Sequence, residues 1–249
     1  MSKKLFNKNK LKEQGGFTLL EVIVVVAIFG IMTAVVIFNY SNFSSRVILT
    51  NMAYEIALTT RQAQVFGLGA RSGETLFVAL PAETQFESPF GMFFNLIDGT
   101  GPKANTTDQF IMFIDTVTRT GDEITTSDHY CKRSRNGNTG LYVDACTCGV
   151  KDGNQDECVN KFQMQRGMYI SKIHVFDSDS STCHSTNKAA ISFKRPNPDG
   201  FIVDQQAGGS PPKKYKSLQI TVTSKSGDNE YVIMRENGQL SVQNTAICS

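Results

Sequence analysis

The sequence predicts an α+β fold, in which one long amino-terminal helix precedes a head of antiparallel β-strands. Three observations predict it. From Phe17 to Phe38 the chain reads FTLLEVIVVVAIFGIMTAVVIF, 22 residues whose single ionisable side chain is Glu21. Across Asn39 to Phe66, the residues Leu49, Met52, Ala53, Ile56, Thr60 and Ala63 recur at helical spacing and trace one apolar stripe. Beyond Arg71 the pattern changes to short apolar runs separated by Gly, Asn, Asp and Pro clusters. One helix followed by consecutive strands, without βα alternation, argues an antiparallel sheet.

The elements follow in chain order. Residues 1–16 hold Lys3, Lys4, Lys8, Lys10 and Lys12 against Glu13, a net charge of +4. The remaining 233 residues carry 20 basic and 22 acidic side chains, so the formal +2 of the whole chain belongs to this short leader. The body therefore has no long-range attraction for nucleic acid. Residues 17–38, as a helix, extend about 33 Å, enough to cross the hydrocarbon core of a bilayer. Five lysines precede this run and only Arg46 follows closely, which places the leader in the cytoplasm and the body outside. A secretory signal peptide fits badly: the run is too long for one, and Asn39-Tyr40-Ser41-Asn42 follows it where a small-x-small cleavage site belongs.

The small residues stand instead before the apolar run, in Gly15-Gly16-Phe17-Thr18-Leu19-Leu20-Glu21. This stretch, with the run to about Phe38, resembles the leader and first helix of type IV prepilins and type II secretion pseudopilins. The resemblance implies a pilin fold, cleavage between Gly16 and Phe17 by a membrane-embedded prepilin peptidase, and N-methylation of Phe17. It also implies assembly-platform proteins and other pilin or pseudopilin subunits as partners, in the cytoplasmic membrane first and in a surface filament afterwards. The physics of Glu21 agrees. A lone carboxylate in a membrane segment costs several kcal/mol unless neutralised or paired. Cleavage before Phe17 creates an α-amino group, with an ordinary pKa of about 7.7–8.0, to meet it on a neighbouring helix.

Residues 39–70 continue the helix into the head, with Gly67 and Gly69 marking its end. The head, 71–249, offers strands at Thr75–Leu80, Gly91–Leu96, Phe110–Asp115, Met168–Phe176, Ala189–Phe193, Phe201–Asp204, Leu218–Thr223, Tyr231–Arg235 and Gln239–Gln243. The ending, with strand pairs closing on Asn237-Gly238, looks like the pseudopilin H and FimT-like minor branch. Residues 116–166 are polar, hold four of the six cysteines, and read as a surface insertion stapled by disulfides. All six, Cys131, Cys146, Cys148, Cys158, Cys183 and Cys248, are disulfide candidates, and six cysteines allow 15 pairings.

Asp152, Asn154 and Asp156 begin like a calcium loop, but Glu157 replaces the turn glycine and Gln163 the bidentate glutamate, so no cofactor is expected. His129 with Cys131, Cys146, Cys148 and Cys158 lacks zinc spacing. Lys213, Lys214 and Lys216 around Tyr215 make a basic run able to meet phosphates and stack a base, and FimT-like relatives include DNA-binding members. With His129, His174 and His184 scattered, no catalytic constellation is present and no enzyme is expected. The expected function is a structural filament subunit, a minor one given the cysteine-rich insertion. The alternatives are a DNA-binding minor pilin of an uptake apparatus and a static membrane-anchored surface protein.

Overall fold

The computed structural model describes residues 16–69, 88–97, 99–115, 119–120, 123–124, 132–133, 144–145, 148, 158–177, 182–205 and 213–248. It divides into two compact units, Met1–Ser44 and Ser45–Ser249. A single helix, α1 (Leu19–Leu68, 50 residues), runs through both. No proline interrupts it, and in the first unit its apolar side chains are exposed.

In the second unit the expected stripe is the buried face of α1. Leu49, Ala53, Ile56, Thr60 and Ala63 are all buried, and Met52, at the stripe's edge, is half-buried. Their spacing of four, three, four and three residues keeps them on one side of a 3.6-residue helix. The Thr60 hydroxyl, the polar member, donates to the carbonyl of Ile56 at 2.8 Å. Gly67 does more than mark the end. A Cβ there would lie 2.2 Å from the Phe193 carbonyl oxygen, so glycine is what lets the last turn lie against a strand backbone.

Among the described residues, fifteen strands follow. They are β1 (Phe90–Asn95), β2 (Gln109–Ile114), the two-residue β3 (Arg119–Thr120), β4 (Glu123–Ile124), β5 (Lys132–Arg133) and β6 (Asp144–Ala145), then β7 (Cys158–Gln163) and β8 (Tyr169–Phe176). The rest are β9 (Cys183–Thr186), β10 (Lys188–Phe193), β11 (Gly200–Asp204), β12 (Lys214–Tyr215), β13 (Ser217–Thr223), β14 (Asn229–Arg235) and β15 (Leu240–Gln243). The expected antiparallel pairing is found throughout, but as two main sheets. Sheet A has the order β12-β11-β10-β1-β2-β7 and sheet B the order β15-β14-β13-β8-β9, while β3 pairs with β4 and β5 with β6. Between the main sheets, Thr107 and Ile170 exchange two backbone hydrogen bonds of 3.1 and 2.7 Å.

Register explains the core. Met112, Met92, Ile191, Ile202 and Tyr215 face one another across β2, β1, β10, β11 and β12. In sheet B the matching row is Ile173, Ile220, Val232 and Val242. With the helix stripe these rows form one apolar cluster, the main core among the described residues of the second unit. Sheet A is apolar on its other face too. Phe93, Ile111, Ala190 and Val203 lie in register there, with Phe113, Phe201, Cys148 and Cys158 packed among them.

Two differences from the sequence reading have physical causes. Strand β7 lies inside the segment expected to be an insertion; its mixed sequence CVNKFQ suits an edge strand, held where the Phe162 ring stacks on Phe110 at 5.1 Å. Strand β9 was also missed, because Cys-His-Ser-Thr carries no apolar alternation. The Thr75–Leu80 candidate lies outside the described residues.

Candidate processing and assembly site

Gly16, Phe17 and Thr18 precede the first turn of α1. Gly16 is exposed with open space around it, and Phe17 is 81% exposed, so the Gly16–Phe17 bond is sterically free. Thr18 caps the helix: its Oγ1 accepts the Glu21 N–H at 3.2 Å and its carbonyl accepts the Val22 N–H at 3.2 Å. Thr18-Leu19-Leu20-Glu21 is thus the T-x-x-E pattern of a helix start. The sequence reading gave Glu21 an intermolecular role and overlooked this local one, although the spacing was there to be read. Glu21 sits in the first turn, where the helix dipole favours a carboxylate, at the start of a run otherwise without charge.

The lysine run lies at the edge of sheet A and is engaged by carboxylates. Lys213 is paired with Asp177, whose hydrogen bond is the main cause raising its pKa. Lys214 and Lys216 both approach Glu236, at 3.5 and 3.8 Å. Tyr215 between them is only 5% exposed and belongs to the core, and burial raises its hydroxyl pKa. Its ring is therefore not presented for stacking on a base.

Two disulfides are described. Cys148 joins Cys158 across ten residues, with Cα atoms 5.1 Å apart, and Cys183 joins Cys248 across 65 residues, with Cα atoms 5.9 Å apart. Cys131, Cys146, His129 and the calcium-loop candidates Asp152, Asn154 and Asp156 lie outside the described residues. Gln163, at the loop's twelfth position, ends β7. His184 is on β9 with its ring 6.2 Å from that of Tyr215. His174 is on β8, and among the described residues no group of three or more His, Cys, Asp and Glu is arranged to hold a metal ion.

Comparison with known proteins bears on the amino terminus. Residues 11–37 match the family described as the prokaryotic N-terminal methylation motif. Two curated relatives, each a fimbrial protein of Pseudomonas aeruginosa, are 34% identical over 91 residues. The amino-terminal part of this chain is similar to type IV pilins. The likeness covers 36% of this chain and 57% of the fimbrial proteins' length. No solved structure matches the chain. Its helix and antiparallel sheets are consistent with the α+β pilin fold expected from the sequence.

Proposed function

We propose that the chain is a structural subunit of a type IV pilus-like filament, matured by cleavage between Gly16 and Phe17 and N-methylation of Phe17. The observation that carries this is a capped, proline-free helix whose apolar run, to Phe38, holds a single carboxylate, Glu21, in its first turn, five residues from the proposed cut. Before assembly the helix spans the cytoplasmic membrane, amino terminus inside and head outside. In the filament, Glu21 of one subunit pairs with the Phe17 ammonium of another. The isolated helix leaves that carboxylate in an apolar segment without a partner, and docking onto the filament supplies one. The role is structural rather than enzymatic, and the cysteine-rich segment within 116–166 suits a minor subunit better than a major one. A DNA-binding role through Lys213, Lys214 and Lys216 gains little support, because Asp177 and Glu236 beside them offset two of their three charges.

The deciding experiment is the amino-terminal sequence and intact mass of membrane-extracted protein, made with and without an active prepilin peptidase. A start at methylated Phe17 that depends on the peptidase is the expected result. A start at Met1 in both cases overturns the proposal and leaves a plain anchored protein.

A further inference from the structure

Ile247 and Cys248 are seated on sheet B by one side chain. Gln219 is in the middle of β13, flanked by Leu218 and Ile220, which enter the core, so its own side chain points to the opposite face. There its Oε1 accepts the N–H groups of Ile247 at 2.8 Å and Cys248 at 3.0 Å, and its Nε2 donates to the Cys248 carbonyl at 2.9 Å. The amide is fully buried, and Cys248 is 3% exposed. The tail has little apolar hold of its own, since Ile247 is 45% exposed. Among the described residues its fastenings include these three hydrogen bonds and the bond from Cys248 to Cys183, at the start of edge strand β9.

Chain statistics do not select that bond. Cys158 lies 25 residues from Cys183, whereas Cys248 lies 65 away. With closure probability falling as the three-halves power of loop length, an unfolded chain joins Cys183 to Cys158 about fourfold more readily than to Cys248. Something formed earlier must bring Cys248 to Cys183, and the clamp holds the backbone of Cys248 itself.

We propose that Gln219 is a positioning residue for oxidative maturation: once β8, β9 and β13 are paired, it seats the still-reduced tail and so directs the Cys183–Cys248 pairing. The oxidant is a disulfide. One cysteine thiolate attacks it, forming a mixed disulfide and releasing a thiol. The second thiolate then attacks the mixed disulfide and releases the other thiol. Two protein thiols lose two electrons and two protons, and the oxidant becomes two thiols. This inference is independent of the filament reading.

The test uses the full chain in detergent micelles, reduced under denaturing conditions and returned to a mixture of oxidised and reduced glutathione. Samples are alkylated over time and their cysteine pairings mapped by peptide mass spectrometry. Gln219→Met, of similar shape but unable to hold the tail, should slow Cys183–Cys248 formation at least fivefold while Cys148–Cys158, attached to the other sheet, forms as in the parent. A parental rate for Cys183–Cys248 overturns the proposal. Should Gln219→Met slow both bonds through poor folding, hydrogen exchange in Cys183→Ala/Cys248→Ala with Gln219 intact decides. The amides of residues 247 and 248 should then exchange at least tenfold more slowly than in an unstructured peptide, and exchange at the unstructured rate overturns the seat.

Discussion

Thr18 and Glu21 have overlapping duties that substitutions can separate. Thr18 caps α1, and Glu21 carries both the capped N–H and the run's single charge. Losing a threonine cap costs about 1 kcal/mol of helix stability, felt within the first turn. Thr18→Ala should therefore reduce filament incorporation by a few-fold at most. Glu21→Gln keeps size and hydrogen bonding but removes the charge, so it should insert and be processed normally yet enter filaments at least tenfold less, measured by immunoblot of sheared filaments against membranes. Equal incorporation of Glu21→Gln would remove the charge-pairing role. A second residue-scale effect belongs to His174, 7% exposed on β8 with Nδ1 unpaired. Burial, then the neighbouring Lys172, lowers its pKa below 6.5. The unfolded chain then binds the proton more readily than the folded one. His174 thus contributes full stability above pH 6.5, and loses it as pH falls from there toward the depressed folded value. Melting curves should show a Tm decline on acidification below pH 6.5 that His174→Gln diminishes.

At the scale of elements, the end of α1 and strand β10 are matched by one missing methyl group. Alanine at position 67 would raise helix propensity by up to about 1 kcal/mol. Against this stands a Cβ placed 2.2 Å from the Phe193 carbonyl, and overpacking of this kind costs about 1–3 kcal/mol. Because the obstacle is backbone, Gly67→Ala should be net destabilising, seen as a lower urea midpoint at unchanged m-value; a higher midpoint would show that the helix end can shift. The helix was legible because its stripe repeats over four turns and one face decides it. The division into two sheets was not, since Leu218, Ile220 and Val222 alternate the same way in either arrangement. The Thr107–Ile170 bridge, a contact distant in sequence, joins the two sheets. At the amino terminus, the start of α1 was legible to within two residues, at Leu19, from the order of Gly16, Phe17 and the apolar run. Gln219 was not: in LQITVT it reads as a solvent-facing strand position, and only the tail 28 residues later covers it.

For the whole molecule, the position of the core decides what can be separated. The second compact unit, Ser45–Ser249, contains the buried helix stripe, both main sheets and the single apolar cluster they share. The exposed apolar run from Phe17 to Phe38 contributes nothing to that cluster. A chain beginning at residue 45, made under oxidising conditions, should therefore be soluble and folded without detergent. Since helix and sheets bury the same cluster, its unfolding should be one cooperative transition, with helical and near-ultraviolet circular dichroism signals lost together. Ile56→Ala removes a fully buried side chain from the helix side and should cost about 2–5 kcal/mol. Ile173→Ala, from the sheet B side, should cost a similar amount. Each should move both spectroscopic signals by the same amount. Two resolved transitions, with Ile56→Ala shifting one and Ile173→Ala the other, would mean that the helix and sheet B unfold separately and the shared core does not hold them together.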